Sequence, residues 1–227
     1  MSLTANDIRW VLIHVFVLLV AVALHEFGHA FMADRLGDDT PRRQGRVTLN
    51  PLAHADLTGT ILLPIIGGIY AASGGVGGFG WGKPVQWQPA RVDRKWRMAT
   101  AQILVAIAGP AMNVILGTIL AFVQVLLMSK NLVLPGSDVF KILSFAVHTN
   151  FVLFFFNLLP VPPLDGGHVV DGLLPHKHRA AFEGFARFGP FVVLAVAMIP
   201  AVAKIFLLPA LFCARHVYLL FASLLGM

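Results

Sequence analysis

From Met98 to Met128 the chain runs through 31 consecutive residues without a formal charge. As a helix this stretch would be roughly 46 Å long, more than the about 30 Å of a bilayer's hydrocarbon core. It reads as a membrane span that must tilt, kink or protrude, with Pro110 as the expected kink. Composition agrees: 12% of the 227 residues are charged and 57% are hydrophobic, where a soluble domain carries about 25% charged residues. Backbone inside hydrocarbon has to satisfy its own hydrogen bonds. The expected fold class is therefore an all-α polytopic membrane protein.

Further apolar runs complete the span list. The first helix is expected over about Ile8–Leu36, stopped by Gly37, and a third span over Ile142 to about Pro160. The last two stretches, Phe188–Ala203 and Ile205–Met227, are split by Lys204 and Pro209 and read most simply as a hairpin. About five transmembrane helices result. The segment Leu57–Phe79 is apolar but studded with glycine and interrupted by Pro64, a poor straight helix. It reads as a re-entrant or β-hairpin element, allowed at membrane depth where protein or a wet cavity shields it. Trp81–Trp87 follows with strand-like residues and could offer a backbone edge. One membrane-embedded domain over 1–227 is expected, with a core of about 8–175 and a C-terminal helical hairpin of about 188–227. The N-terminal apolar stretch has no Ala-x-Ala exit and is expected to stay in the protein.

The net charge of +6 raises nucleic acid as a partner, but in a membrane protein basic loops serve topology and anionic headgroups better. The expected partner is the lipid bilayer, with no nucleic acid. Nine of the 17 Lys and Arg residues lie between Arg35 and Arg97 and three between Lys177 and Arg187, against four on the other side. The positive-inside rule then puts the end of the first helix that follows Leu24 on the cytoplasmic side. This holds only if Leu57–Phe79 leaves and returns on one face.

That end of the helix carries His25-Glu26-Phe27-Gly28-His29. Histidines four apart share one helical face and can reach one metal ion, with Glu26 beside them to take a proton from water. This is the His-Glu-x-x-His pattern of zinc peptidases. A bare glutamate at membrane depth costs about 2.5 kcal/mol or more, which disfavours a merely structural trio. The single cysteine, Cys213, rules out a thiolate site, so a catalytic zinc needs a third ligand from histidine or carboxylate. Asp38, Asp39, Asp93 and Glu183 sit among polar or basic residues and read as solvated surface groups, so elimination by position leaves Asp56, Asp165 and Asp171. Asp165 is favoured, because Pro162-Pro163 and Gly166-Gly167 break the chain around it and its span ends on the side of His29. Its other reading is a helix N-cap; Asp171 is the runner-up, and His168 could compete.

These residues, with Asn157…Pro160-Val161-Pro162-Pro163-Leu164-Asp165-Gly166, resemble the site-2 protease family of intramembrane zinc metalloproteases. Gly109-Pro110-Ala111-Met112-Asn113, Phe79-Gly80-Trp81-Gly82-Lys83-Pro84-Val85 and Asn50-Pro51-Leu52-Ala53-His54 add to the likeness, which covers about Leu12 to Leu174. The resemblance implies one catalytic Zn²⁺ held by His25, His29 and Asp165, and Glu26 as the general base. It further implies that His54, Asn113 and Asn157 support the substrate or the transition state. Read without it, His54 could cap a loop and the two asparagines could tie helices together. Ser129–Val139 is too short for a PDZ-like insertion and no nucleotide-binding domain follows Met227, so a minimal core without either module is expected.

The expected activity is hydrolysis of peptide bonds in or near the transmembrane segments of membrane-protein substrates, at a site near the cytoplasmic face. The alternative, from another class, is a membrane metal transporter or sensor using the same ligands. A transporter should show ligands at several depths. The oligomeric state is left open.

Overall fold

The structure, a computed structural model, describes residues 4–72 and 80–227. Helix α1 (Ala5–Arg35) begins at a capping box in which the Thr4 side chain accepts from the Asp7 N–H and the Asp7 carboxylate accepts from the Thr4 N–H. Two four-residue helices, α2 (Thr40–Arg43) and α3 (Pro51–His54), follow it. A π-helical turn (Leu57–Leu62), N-capped by Asp56, leads into α4 (Leu63–Ala72). Past Trp81–Trp87, which lies in no helix and turns alternate N–H groups (Trp81, Lys83, Val85) to one side as an extended chain does, come α5 (Met98–Ser129), with Pro110 inside it, and α6 (Asp138–Asn157). The short helices α7 (Asp165–Leu173), α8 (His176–Ala186) and α9 (Gly189–Met198) precede α10 (Pro200–Leu224).

Helices α1, α5, α6 and α10 are long and apolar enough to cross a membrane, and α8 with α9, bent by 61°, could count as a fifth crossing. The protein is thus an all-α polytopic membrane protein. Large apolar side chains such as Phe16, Ile115, Ile119 and Phe212 point outward, as lipid-facing residues do. Helix α5 is the central element, packed against α1, α6, α7 and α10. Ala121, Val147, Phe151, Ala210 and Ala214 close the core where α5, α6 and α10 meet. Small residues there let the backbones approach, which is how helices associate where lipid removes the hydrophobic drive between them.

The break in the C-terminal stretch falls at Ile199, not at Lys204. Lys204 and Pro209 both lie within α10, since a proline in its interior costs a hydrogen bond without having to end the helix.

Two contacts fix the directions of the chain. Arg9 near the start of α1 pairs with Asp138 at the start of α6 at 2.6 Å, so these helices run parallel and finish at the same end. At that end Asp39 pairs with both Arg43, 2.6 Å, and Arg91, 3.1 Å. The chain between Arg43 and Arg91 therefore leaves and returns to one end, as a re-entrant element must. Its described part, Leu57–Ala72, is helical and carries no strand; Gly74–Phe79 lies outside the described residues. A Cβ at Gly68 would sit 3.0 Å from the Val11 side chain, so α4 runs far along α1.

Asp38 is not the solvated surface carboxylate its basic neighbourhood suggests. It is buried, accepts from the Thr40 N–H and hydroxyl, and takes the Gln88 N–H. It anchors the far end of the extended segment.

Candidate metal centre

His25 and His29 project from one face of α1 toward α5, and the fit of the two helices depends on glycine. A Cβ at Gly28, between the histidines, would fall on the Ala108 carbonyl of α5. One at Gly109 would fall on His29 Nε2 and lie 2.9 Å from His25 Nε2. Gly109 thus leaves open the space beside both nitrogens.

The third side chain arrives from the other end of the fold. After α6 the chain turns through Leu158–Leu164, and Gly166 and Gly167 let α7 fold back on it, since a Cβ at either would strike that turn's backbone. Asp165 is the first residue of α7, and Leu164, not Asp165, is its N-cap. Its carboxylate is turned to the histidines: Oδ2 lies 3.2 Å from His25 Nε2 and Oδ1 lies 3.3 Å from His29 Nε2. The two Nε2 atoms are 3.1 Å apart.

The ring protons explain why this cluster could hold a cation. His29 Nδ1 is 2.7 Å from the Val105 carbonyl, which can only accept, so Nδ1 carries the proton. His25 Nδ1 is 2.8 Å from Asn113 Oδ1; the Asn113 amide nitrogen donates to the Ala21 carbonyl and to Asn150 Oδ1, each at 3.0 Å. In the neutral rings both Nε2 atoms are therefore bare acceptors facing an acceptor carboxylate, and buried Asp165 Oδ2 has no hydrogen-bond partner. Three lone-pair donors converging without a proton between them suit a divalent metal, and two histidines with a carboxylate are a known zinc donor set. Among the described residues these three form the one group of three or more His, Cys, Asp or Glu side chains positioned to share an ion.

Glu26 faces a cavity of about 680 Å³ that is also lined by His25, His29, Asp165, Asn157, His168 and, from α9, Val193. The other wall is the extended segment. Its Trp81, Lys83 and Val85 N–H groups donate to Gly59 O (3.1 Å), His54 O (2.9 Å) and Glu26 Oε2 (3.0 Å) in turn.

The remaining candidates separate. Asp56 caps the π-helical turn by accepting from the Gly59 N–H at 2.7 Å, and Asp171 accepts from Gln102 at 2.8 Å, so neither joins the cluster. Asn157 lines the cavity while its amide nitrogen donates to the Leu153 carbonyl. Asn113 is fully buried behind His25 and does not reach the cavity. His54 is also buried, with Nε2 on the Thr48 carbonyl at 3.0 Å and Nδ1 unpartnered. Burial first, and then the charge of Arg46, hold its pKa below the ordinary histidine range, against the raising effect of the Thr48 bond.

A helical membrane protein built around such a centre falls in the class of membrane-embedded zinc metalloproteases. The model of peptidase family M50 matches residues 13–135 and 128–200, and the chain belongs to that family, the one its motifs resemble. It is 38% identical over 206 residues to "Putative zinc metalloprotease YwhC" of Bacillus subtilis, covering 88% of this chain and 86% of that one. Against "Putative zinc metalloprotease Rip2" of Mycolicibacterium smegmatis the identity is 32%, over 85% of this chain and 71% of the relative. "Zinc metalloprotease MJ0392" of Methanocaldococcus jannaschii is 26% identical over 78% of this chain and 39% of its own length. No solved structure matches the chain. Zinc is the cofactor these relatives imply.

Proposed function

We propose that the protein hydrolyses peptide bonds in or near the transmembrane segments of membrane-protein substrates, with His25, His29 and Asp165 holding one zinc ion and Glu26 as general base. The observation that carries this reading is the convergence of the two Nε2 atoms and the Asp165 carboxylate within 3.3 Å of one another, beside a cavity that Glu26 also lines. Zinc at such a site supplies Lewis-acid polarisation of an oxygen atom. Its two charges would be balanced by Asp165 and Glu26, which keeps the buried site neutral overall.

The chain's own groups do the rest. Glu26 takes the proton of the attacking water at a carboxylate oxygen and returns it to the departing amine nitrogen. The Val85 N–H fixes where that carboxylate points. A substrate helix hides its amides in intrahelical bonds, so it must be held locally extended. The Trp81–Trp87 segment suits this: its Trp81, Lys83 and Val85 N–H groups are held by the protein while the segment lines the cavity wall, where an extended peptide could lie along it. Asn157, on the cavity wall, is assigned to the substrate or the transition state. His54 and Asn113 support the site from behind it, through the extended segment and His25 respectively.

His29 lies six residues before the end of α1, about 9 Å by helical rise, so water needs to travel only a short way. The basic residues at this end, Arg42, Arg43 and Arg91 among them, support a cytoplasmic location for it by the positive-inside rule. A single ligand cluster among the described residues speaks against transport, which needs ligands along a path.

The test is quantitative proteomics of membrane proteins in cells carrying the wild type or Glu26→Gln. Uncut substrates are expected to accumulate with the variant, while the purified variant keeps its zinc. Cleavage that persists in Glu26→Gln would overturn the reading.

A further inference from the structure

Behind His25 runs a relay of two asparagines that crosses three helices. Asn150 of α6 donates its amide nitrogen to the Ala146 carbonyl, one turn back on its own helix, at 2.9 Å. Its Oδ1 is thereby turned to Asn113 of α5 and accepts from Asn113 Nδ2 at 3.0 Å. The same Asn113 nitrogen donates to the Ala21 carbonyl of α1 at 3.0 Å, and Asn113 Oδ1 meets His25 Nδ1 at 2.8 Å. Both asparagines are sealed from solvent, Asn113 at 0% and Asn150 at 1% exposure.

Every link has one permitted direction, because the relay begins and is tied at backbone carbonyls, which only accept. The Ala146 carbonyl demands the Asn150 nitrogen, which leaves the Asn150 oxygen for Asn113. The Ala21 carbonyl and Asn150 Oδ1 together use both amide protons of Asn113. Its oxygen is then committed to His25, whose proton sits on Nδ1 and whose Nε2 lone pair faces Asp165 and His29. Without the Asn150 oxygen one Asn113 N–H would be buried without an acceptor, a state that favours rotation of the amide away from His25.

We propose that Asn150 is a positioning residue of the metal centre: acting through Asn113, it fixes the tautomer and ring orientation of His25. The proposal rests on the reading of His25, His29 and Asp165 as zinc ligands. Asn150 belongs to none of the motifs that mark the site in the sequence. A hydrogen-bond partner of a ligating histidine typically changes metal affinity 10- to 100-fold when lost, and Asn150 stands one bond further out.

The test uses the full chain in phospholipid nanodiscs, as wild type, Asn150→Leu, Asn150→Asp and His25→Ala. Zinc affinity is read by chelator competition, and ligand geometry from the visible spectrum of the Co²⁺-loaded protein. Asn150→Leu matches the size of asparagine and removes the acceptor; it is expected to weaken zinc about 10-fold and to shift the cobalt spectrum. Asn150→Asp keeps an oxygen toward Asn113 in either protonation state and should restore the wild-type spectrum, with affinity within about threefold of wild type, which a purely structural role would not produce. Wild-type affinity and spectrum in Asn150→Leu overturn the proposal. A wild type that binds zinc no better than His25→Ala overturns the metal centre itself, a separate result. Should Asn150→Leu not fold, ¹⁵N spectra of the metal-free wild type in mildly alkaline buffer decide: an Nδ1–H tautomer at His25 is required, and an Nε2–H tautomer overturns the relay.

Discussion

Glu26 Oε2 accepts a hydrogen bond from the Val85 backbone N–H at 3.0 Å, across 59 positions of sequence. The carboxylate proposed as general base is therefore aimed by the segment proposed to hold the substrate. Val85→Pro deletes that donor and Val85→Ala keeps it. With the substrate that accumulates in the Glu26→Gln strain, turnover by Val85→Pro is expected to fall about 10- to 100-fold, since a misaimed base forfeits part of its 10²–10⁴-fold contribution. Val85→Ala should stay near wild type, and both variants should keep their zinc by elemental analysis.

Gly109→Ala places a methyl group on His29 Nε2 and 2.9 Å from His25 Nε2. It should empty the site: zinc per chain falls well below one while the helical circular dichroism signal is retained. Gly28→Ala pushes instead on the α5 backbone at Ala108. Overpacking of this kind costs about 1–3 kcal/mol and should appear as a lower melting temperature.

The His54 ring supplies a pH dependence. Its folded pKa is depressed by burial and by Arg46, so the unfolded chain takes a proton at a higher pH than the folded one. Its stabilising contribution is present above the unfolded value of about 6.5 and is lost as pH falls below it toward the folded pKa. Melting temperature in detergent should drop on going from neutral to acidic pH, and His54→Gln should flatten part of that slope. An unchanged slope in His54→Gln would show that other groups carry it.

Gln124 joins α5 to α6 and α10: its amide nitrogen donates to Ser144 Oγ at 2.8 Å and its oxygen accepts from the Tyr218 hydroxyl at 2.6 Å. It is buried and does not line the metal-centre cavity. Gln124→Leu leaves the half-buried Ser144 and Tyr218 hydroxyls without this partner, at a cost of about 1–3 kcal/mol. The expected result is a lower melting temperature and faster proteolysis of α10, with zinc content unchanged.

The exposed Arg9–Asp138 pair, by contrast, is half open to solvent on both sides. Arg9→Ala is expected to cost under about 1 kcal/mol and to leave zinc binding alone, although the pair marks the parallel run of α1 and α6.

Much was legible in the one-dimensional pattern because it is local. Uncharged runs longer than a bilayer force helices, and a four-residue spacing puts His25 and His29 on one face whatever the rest of the chain does. Proline and glycine around Asp165 announced a turn at the end of α6. Position left Asp56, Asp165 and Asp171 and favoured Asp165; the structure adds that the turn after α6 carries the Asp165 carboxylate to α1, while Asp56 caps the π-helical turn and Asp171 is held by Gln102. Asp38 was misread because its neighbours in sequence are charged, while its neighbours in space are backbone N–H groups. Asn150 gave no signal, since an amide in an apolar helix looks the same whether it ties helices or orients a ligand.

Hydropathy and helical period over a few turns were enough to give the membrane class, the spans apart from the C-terminal break, and the His-Glu-x-x-His face. Packing of distant segments was needed to bring the Asp165 carboxylate to the histidines, to set the Val85 N–H on Glu26, and to put Asn113 behind His25 and not in the cavity. Those are contacts between residues 59 to 140 positions apart. Their geometry depends on how α1, α5 and α7 pack, through the close approaches that Gly28, Gly109 and Gly166 permit.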